Sequence, residues 1–125
     1  MLDHHYSDHK EPSVEEAEKA LRLNRPDDLK RAVIGIALNS KDRLFAEQYC
    51  SRLAGHEDEQ VRGNAVLGLG HIARRFGELS SEIKALIEKG LSDSSPYVRG
   101  QSCAAADDVG HFLGWVVRRP SQPAD

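Results

Sequence analysis

The chain has 125 residues, with 17 basic and 20 acidic side chains giving a net charge of −3, and a pI near 6.1. That length supports one domain with a true core, and the acidic balance argues against a dominant nucleic-acid function, which normally needs a clustered basic surface. Aromatics are few and glycine is frequent, so the core must be built from Ala, Leu, Ile and Val between closely approaching helices.

Residues 1 to 12 are polar and end in Glu11-Pro12, which predicts a flexible arm. They contain no apolar signal-peptide core, and no stretch is long enough to cross a bilayer, so the chain is expected to be soluble and cytoplasmic. His5 and His9 stand four apart with Asp8 beside them, a spacing that would chelate a divalent metal on a helix. Nothing closes such a site, and the arm is read as a solvated tail with no metal. Ser13 with Glu16 makes a capping box before Ala17, Ala20 and Leu21, and predicts a first helix over 14–23. Asn24-Arg25-Pro26 breaks it. Pro26 with Asp27-Asp28 then opens a second helix over about 27–38, where an N-terminal proline and acidic first turn are favoured.

Asn39-Ser40 is a turn, and Leu44, Phe45, Tyr49, Cys50 and Leu53 mark a third helix over about 41–54, ended by Gly55. The stretch EDEQVRGNAVLGLGHIARRF over 57–76 is the centre of the chain. Val61, Ala65, Leu69, Ile72 and Phe76 share one helical face, while Gly63, Leu67 and Gly70 lie opposite, so this helix is expected to be packed on two sides with glycines allowing close approach. A fifth helix over about 80–91 turns Ile83, Leu86, Ile87 and Leu91 inward and Glu82, Glu88 and Lys89 to water. Ser95-Pro96 starts a sixth, read to about 117 through Val98, Ala105, Val109, Phe112 and Val116. The tail 118–125 carries two prolines and is expected to be irregular.

The segments repeat one another. Ala65-Val66-Leu67-Gly68-Leu69 matches Ala32-Val33-Ile34-Gly35-Ile36 upstream, and Val61-Arg62-Gly63 matches Val98-Arg99-Gly100 downstream. A period in the thirties built from helix pairs is the sign of an α-solenoid. At these residues the chain resembles a known family. Asp58, Val61-Arg62, Ala65 and Leu67-Gly68, then Asp93, Val98-Arg99 and Ala105, resemble the HEAT repeat, in particular the short variety of phycobilin lyase-like proteins, over residues 26 to 117. The resemblance implies an all-α, short right-handed solenoid of about three units and about six helices over 13–117. It also implies protein partners bound by stacked helices, and Asp and Arg residues that tie neighbouring units together. The third unit departs from the pattern, with Asp107-Asp108 where the second has Gly70-His71.

Cys50 and Cys103 lie in predicted helices beside apolar neighbours, without CxxC spacing, and are read as small buried hydrophobes in a reducing compartment. Arg74-Arg75 and Arg118-Arg119 each end an apolar helix, where cations complement the dipole. His71, alone on an apolar helix, is read as a hydrogen-bonded packing residue. No GxGxxG, Walker loop, HExxH or nucleophile elbow is present. Asp107, Asp108 and His111 have the chemistry for acid/base work, with Cys103 nearby in sequence, but a helix surface does not supply the pocket that catalysis needs.

The same acids, together with Trp115 and Tyr97 as aromatic anchors, fit an acidic-aromatic docking site on a last helix that has no covering neighbour. Glu47, Gln48, Glu82 and Glu88 on the inner helices are the alternative surface. The function expected is that of a non-enzymatic protein-binding module that occludes a basic protein partner, most concretely an antitoxin- or immunity-type inhibitor, with no cofactor. An enzyme or lyase-like cofactor-attachment factor, and HEAT-type nucleic-acid binding, are the alternatives. A homodimer through the 95–117 helix is a further way to cover the last helix.

Overall fold

A computed structural model describes residues 10–120. Six helices follow one another: α1 (Val14–Leu23), α2 (Pro26–Asn39), α3 (Arg43–Leu53), α4 (Glu59–Phe76), α5 (Ile83–Leu91) and α6 (Pro96–Leu113). No strand occurs among the described residues, and none of their helices is long and apolar enough to cross a membrane.

Local chemistry sets the ends. Ser13 accepts the Glu16 N–H while Glu16 Oε1 accepts the Ser13 N–H at 2.9 Å, so the expected capping box forms and two otherwise orphaned donors are satisfied. Asn24 closes α1 in the left-handed region at φ 52°, a conformation asparagine tolerates better than most residues. Asp58 accepts the Gln60 and Val61 N–H groups at 2.9 and 3.0 Å to start α4, and Gly77 at φ 70° ends it.

α4 packs against α2, α3, α5 and α6, most extensively against α6. Val61, Ala65, Leu69 and Ile72 are buried, as the helical spacing predicts, whereas Phe76 is half-buried. The second face is occupied too. A side chain added at Gly63 would strike the Tyr97 ring, one at Gly70 would strike Ala105 and Asp108 of α6, and one at Gly68 would meet Cys50 and Ala37. The glycines of α4 therefore set the distance at which its neighbours sit. Cys50 is buried, and burial pushes its thiol up to about 12, so it serves as a small hydrophobe. Tyr49, also buried, donates its hydroxyl to the Ala17 carbonyl at 2.9 Å and fastens α3 to α1.

Three readings of the sequence need correction. α6 stops at Leu113 and does not run to 117, because Gly114 turns left-handed at φ 70° and donates its N–H to Gly110 and Val109. Trp115, Val116 and Val117 continue the apolar spacing in sequence but lie outside the helix. Cys103 is exposed on α6. Arg74 and Arg75 lie in the last turn of α4, as the sequence predicts, whereas Arg118 and Arg119 do not end α6. Arg75 donates to the carbonyls of Ala37 and Ser40, at 3.0 and 2.7 Å, and so satisfies the C-terminus of α2. Arg118 and Arg119 lie beyond α6, the former's N–H on Glu88 and the latter's guanidinium on Asp107. His5, Asp8 and His9 lie outside the described residues, as do residues 121–125.

Candidate protein-binding surface

The first turns of α4 and α6 are joined by a dense polar seam. Arg62 reaches the α5–α6 loop and grips Asp93 with one edge of its fork, Nε to Oδ2 and Nη2 to Oδ1, each at 2.8 Å. Such paired, parallel N–H bonds are the strong form of an arginine–carboxylate contact. Its remaining Nη1 donates to the His56 and Glu57 carbonyls at 3.0 and 3.2 Å. The Arg62 hydrogen bonds hold the Asp93 carboxyl below its ordinary 3.8, and the Ser95 N–H adds to this; Asp93 in return raises Arg62. Beside this pair the Ser95 hydroxyl donates to Glu59, and the Tyr97 hydroxyl donates to Asn64 while accepting from Gln101 Nε2 at 3.0 Å.

These contacts place the proposed anchors. Tyr97 lies in the α4–α6 seam, its ring against Gly63, and is still 39% exposed. Asp108 is half-buried in the same seam, facing Gly70. Asp107 is on the outer side, with a side chain 75% exposed, and pairs with Arg119 Nη2 at 2.9 Å. His111 is exposed one turn on and stacks edge-on against Phe112 at 4.6 Å. Trp115 packs half-buried against the core from the segment after the helix. The structure thus brings Asp107 and His111 to one surface, but puts Tyr97 and Asp108 in a seam and Trp115 in the segment after the helix.

The alternative surface divides as well. Glu47 is buried, ion-paired with Arg43, and accepts the Ser80 N–H at 3.1 Å. It holds the α4–α5 connection and is not offered to a partner. Gln48 and Glu82 are exposed, while Glu88 accepts the Arg118 N–H at 2.8 Å. No local pattern marks the Glu47–Ser80 bond, since its partner is a backbone donor thirty-three residues away.

His71 is half-buried on α4, and its Nδ1 has no hydrogen-bond partner among the described residues. That differs from the hydrogen-bonded packing role read from sequence. Burial, then Arg74, lowers its pKa from 6.5, against an opposing pull from Asp108. A histidine held neutral in the fold contributes stability that is fully present above its unfolded pKa and declines as pH falls below it. Urea unfolding at pH 7 and pH 5 is therefore expected to show a larger acid-induced loss for the native chain than for His71→Leu. Equal losses would mean that the ring is solvated when charged.

Acid/base chemistry would require Asp107, Asp108, His111 and Cys103 to converge on a cavity. Among the described residues one groove runs between α1 and α2 beside Lys10, Lys19 and Arg31, another lies beside Arg52, His56 and Lys89, and a smaller one lies beside Glu88, Ser92 and Arg118. None of these is lined by those four residues. Comparison of the chain with protein-family models, curated proteins and solved structures finds no match.

Proposed function

We propose that this chain is a non-enzymatic protein-binding module: a short solenoid of HEAT-like units, α2–α3, α4–α5 and a lone α6, whose outer α6 surface covers a protein partner. The observation that carries the reading is the contrast between α4 and α6. Both are 18 residues long. Yet α4 is covered by four neighbouring helices, while α6 is covered by α4, α5 and the short segment after Gly114. Exposed Arg99, Gly100, Cys103, Asp107, His111 and Phe112 remain on it, and a helix surface left open in this way is where a repeat protein binds.

The net charge of −3 favours a basic partner through electrostatic steering. An inhibitor of the antitoxin or immunity type, occluding a basic toxin, is the concrete form proposed. The test is cross-linking in the source cell with mass spectrometry to identify the partner, followed by association kinetics with the purified partner. Asp107→Lys is expected to lower the association rate several-fold at low ionic strength and leave the circular dichroism spectrum unchanged. Asp108 is kept, because its place in the α4–α6 seam would confound binding with folding. An unchanged rate at low salt would move the docking surface away from Asp107.

A further inference from the structure

α6 repeats α4 in hydrogen bonding as well as in sequence, and the repetition leaves one half of an ion pair open. Arg99 Nη1 donates to the Asp93 and Ser94 carbonyls at 2.8 and 3.2 Å. Arg62 Nη1 makes the corresponding bonds to His56 and Glu57, six and five residues back in both cases. The guanidinium of Arg99 is thereby fixed in the pose of Arg62. The Nε–Nη2 edge of Arg62 then takes Asp93, whereas that edge of Arg99 has no partner among the described residues.

The next residue repeats the pattern. Gly63 lies under the Tyr97 ring, so close that an added methyl would sit 2.7 Å from it, while an added methyl at Gly100 would meet nothing within 4 Å. One position thus holds an aromatic ring against a glycine, and its counterpart on α6 is empty.

We infer that the first two turns of α6 form a docking site for a protein partner that presents a carboxylate to the Nε–Nη2 edge of Arg99 and an aromatic ring to Gly100. The inference rests on the protein-binding reading above. The occupant's chemistry is read from what the chain itself seats on α4, an aspartate four residues before a tyrosine at a helix start, Asp93 and Tyr97. A rigid guanidinium fork takes a carboxylate by paired hydrogen bonds, a match that the point charge of a lysine does not reproduce.

A second copy of this chain is a poor occupant. Its Asp93 is already held by Arg62. Its Asp58 is engaged by the Gln60 and Val61 N–H groups, at a helix that packs on α2 and α3. Further along α6 the likeness to α4 ends. Asp107 stands where α4 has Gly70, at which an added side chain would strike Ala105, so a helix cannot lie along the whole of α6 as α6 lies along α4. The site is confined to the stretch from Arg99 to Cys103, and an entering loop-to-helix junction fits it.

The probe is a synthetic peptide of residues 91–106 carrying Gly100→Lys and Ala104→Glu, whose side chains are condensed to a lactam that holds it helical, and Cys103→Ser, added to the intact isotope-labelled protein. Saturable shifts of the Arg99 Nε–H and Gly100 amide signals are expected, with those of Arg62 and Gly63 unmoved. Arg99→Lys in the protein, and Asp93→Asn or Tyr97→Ala in the peptide, should each weaken binding by about ten-fold or more. No shift at Arg99 and Gly100 with millimolar peptide overturns the proposal, as does equal binding by Arg99→Lys. Peptide binding at Arg99 with a partner affinity indifferent to Asp107→Lys would retain this site and remove the charge-steering part of the functional reading. The converse pair of results would remove this site alone.

Discussion

Ile72→Ala and Leu69→Ala are each expected to lower the unfolding free energy by about 2 to 5 kcal/mol, the range for truncating a fully enclosed Ile or Leu to Ala. Both side chains are completely buried on α4. α4 is in contact with four other helices, so the cavity left behind is walled by several elements and cannot collapse by the shift of one. Urea denaturation at neutral pH measures the loss, and a midpoint change with constant slope is the expected form. A loss under about 0.5 kcal/mol, the size of an ordinary surface change, would place these residues off the packed face. Leu67, half-buried on the same helix, is the internal control and should cost less.

The sequence revealed the helices where local chemistry decides them. The Ser13–Glu16 box fixed the start of α1, and the spacing of Val61, Ala65, Leu69 and Ile72 marked the buried side of α4. It misled where an apolar pattern outran the backbone. Trp115, Val116 and Val117 keep helical spacing with Val109 and Phe112, but Gly114 at φ 70° ends the helix first, and a C-terminal glycine stop outweighs continuing periodicity. Cys103 departs from its sequence pattern for a related reason. It occupies the place of Val66, which is buried with Gly90 of α5 close by, and on α6 it is exposed. Glu47 falls on the alternative binding surface in the sequence because helical spacing cannot show that a loop from beyond α4 supplies the Ser80 N–H to it. The arginine seam was half legible. Equal placement of Arg62 and Arg99 after their helix starts suggested a shared structural role, but only three-dimensional geometry separates the filled fork from the open one.

Asp93→Ala is expected to cost about 3 kcal/mol, the low end of the cost of removing one member of a buried pair, since this pair keeps some solvent contact. The side chains of Arg62 and Asp93 are 18% and 15% exposed. The substitution breaks both arms of the bidentate bond, strips the Ser95 N–H of its acceptor, and leaves a half-buried guanidinium with its carbonyl partners alone. Arg62→Met should cost less than Asp93→Ala, because it keeps the Asp93–Ser95 bond. The double variant should cost less than the sum of the two, the non-additivity being the coupling across the seam. Acid provides an independent check. A carboxylate with a depressed pKa contributes stability that is present above its unfolded value of 3.8 and is lost as pH falls through the lower folded value. The native chain should therefore lose stability on acidification below about pH 4 more steeply than Asp93→Asn. Asp58, lowered mainly by the Val61 N–H, remains in both proteins and sets a common background. Parallel acid limbs for native and Asp93→Asn, together with strict additivity in the cycle, would show that α4 and α6 are held together by Gly63, Gly70 and the buried side chains rather than by this ion pair.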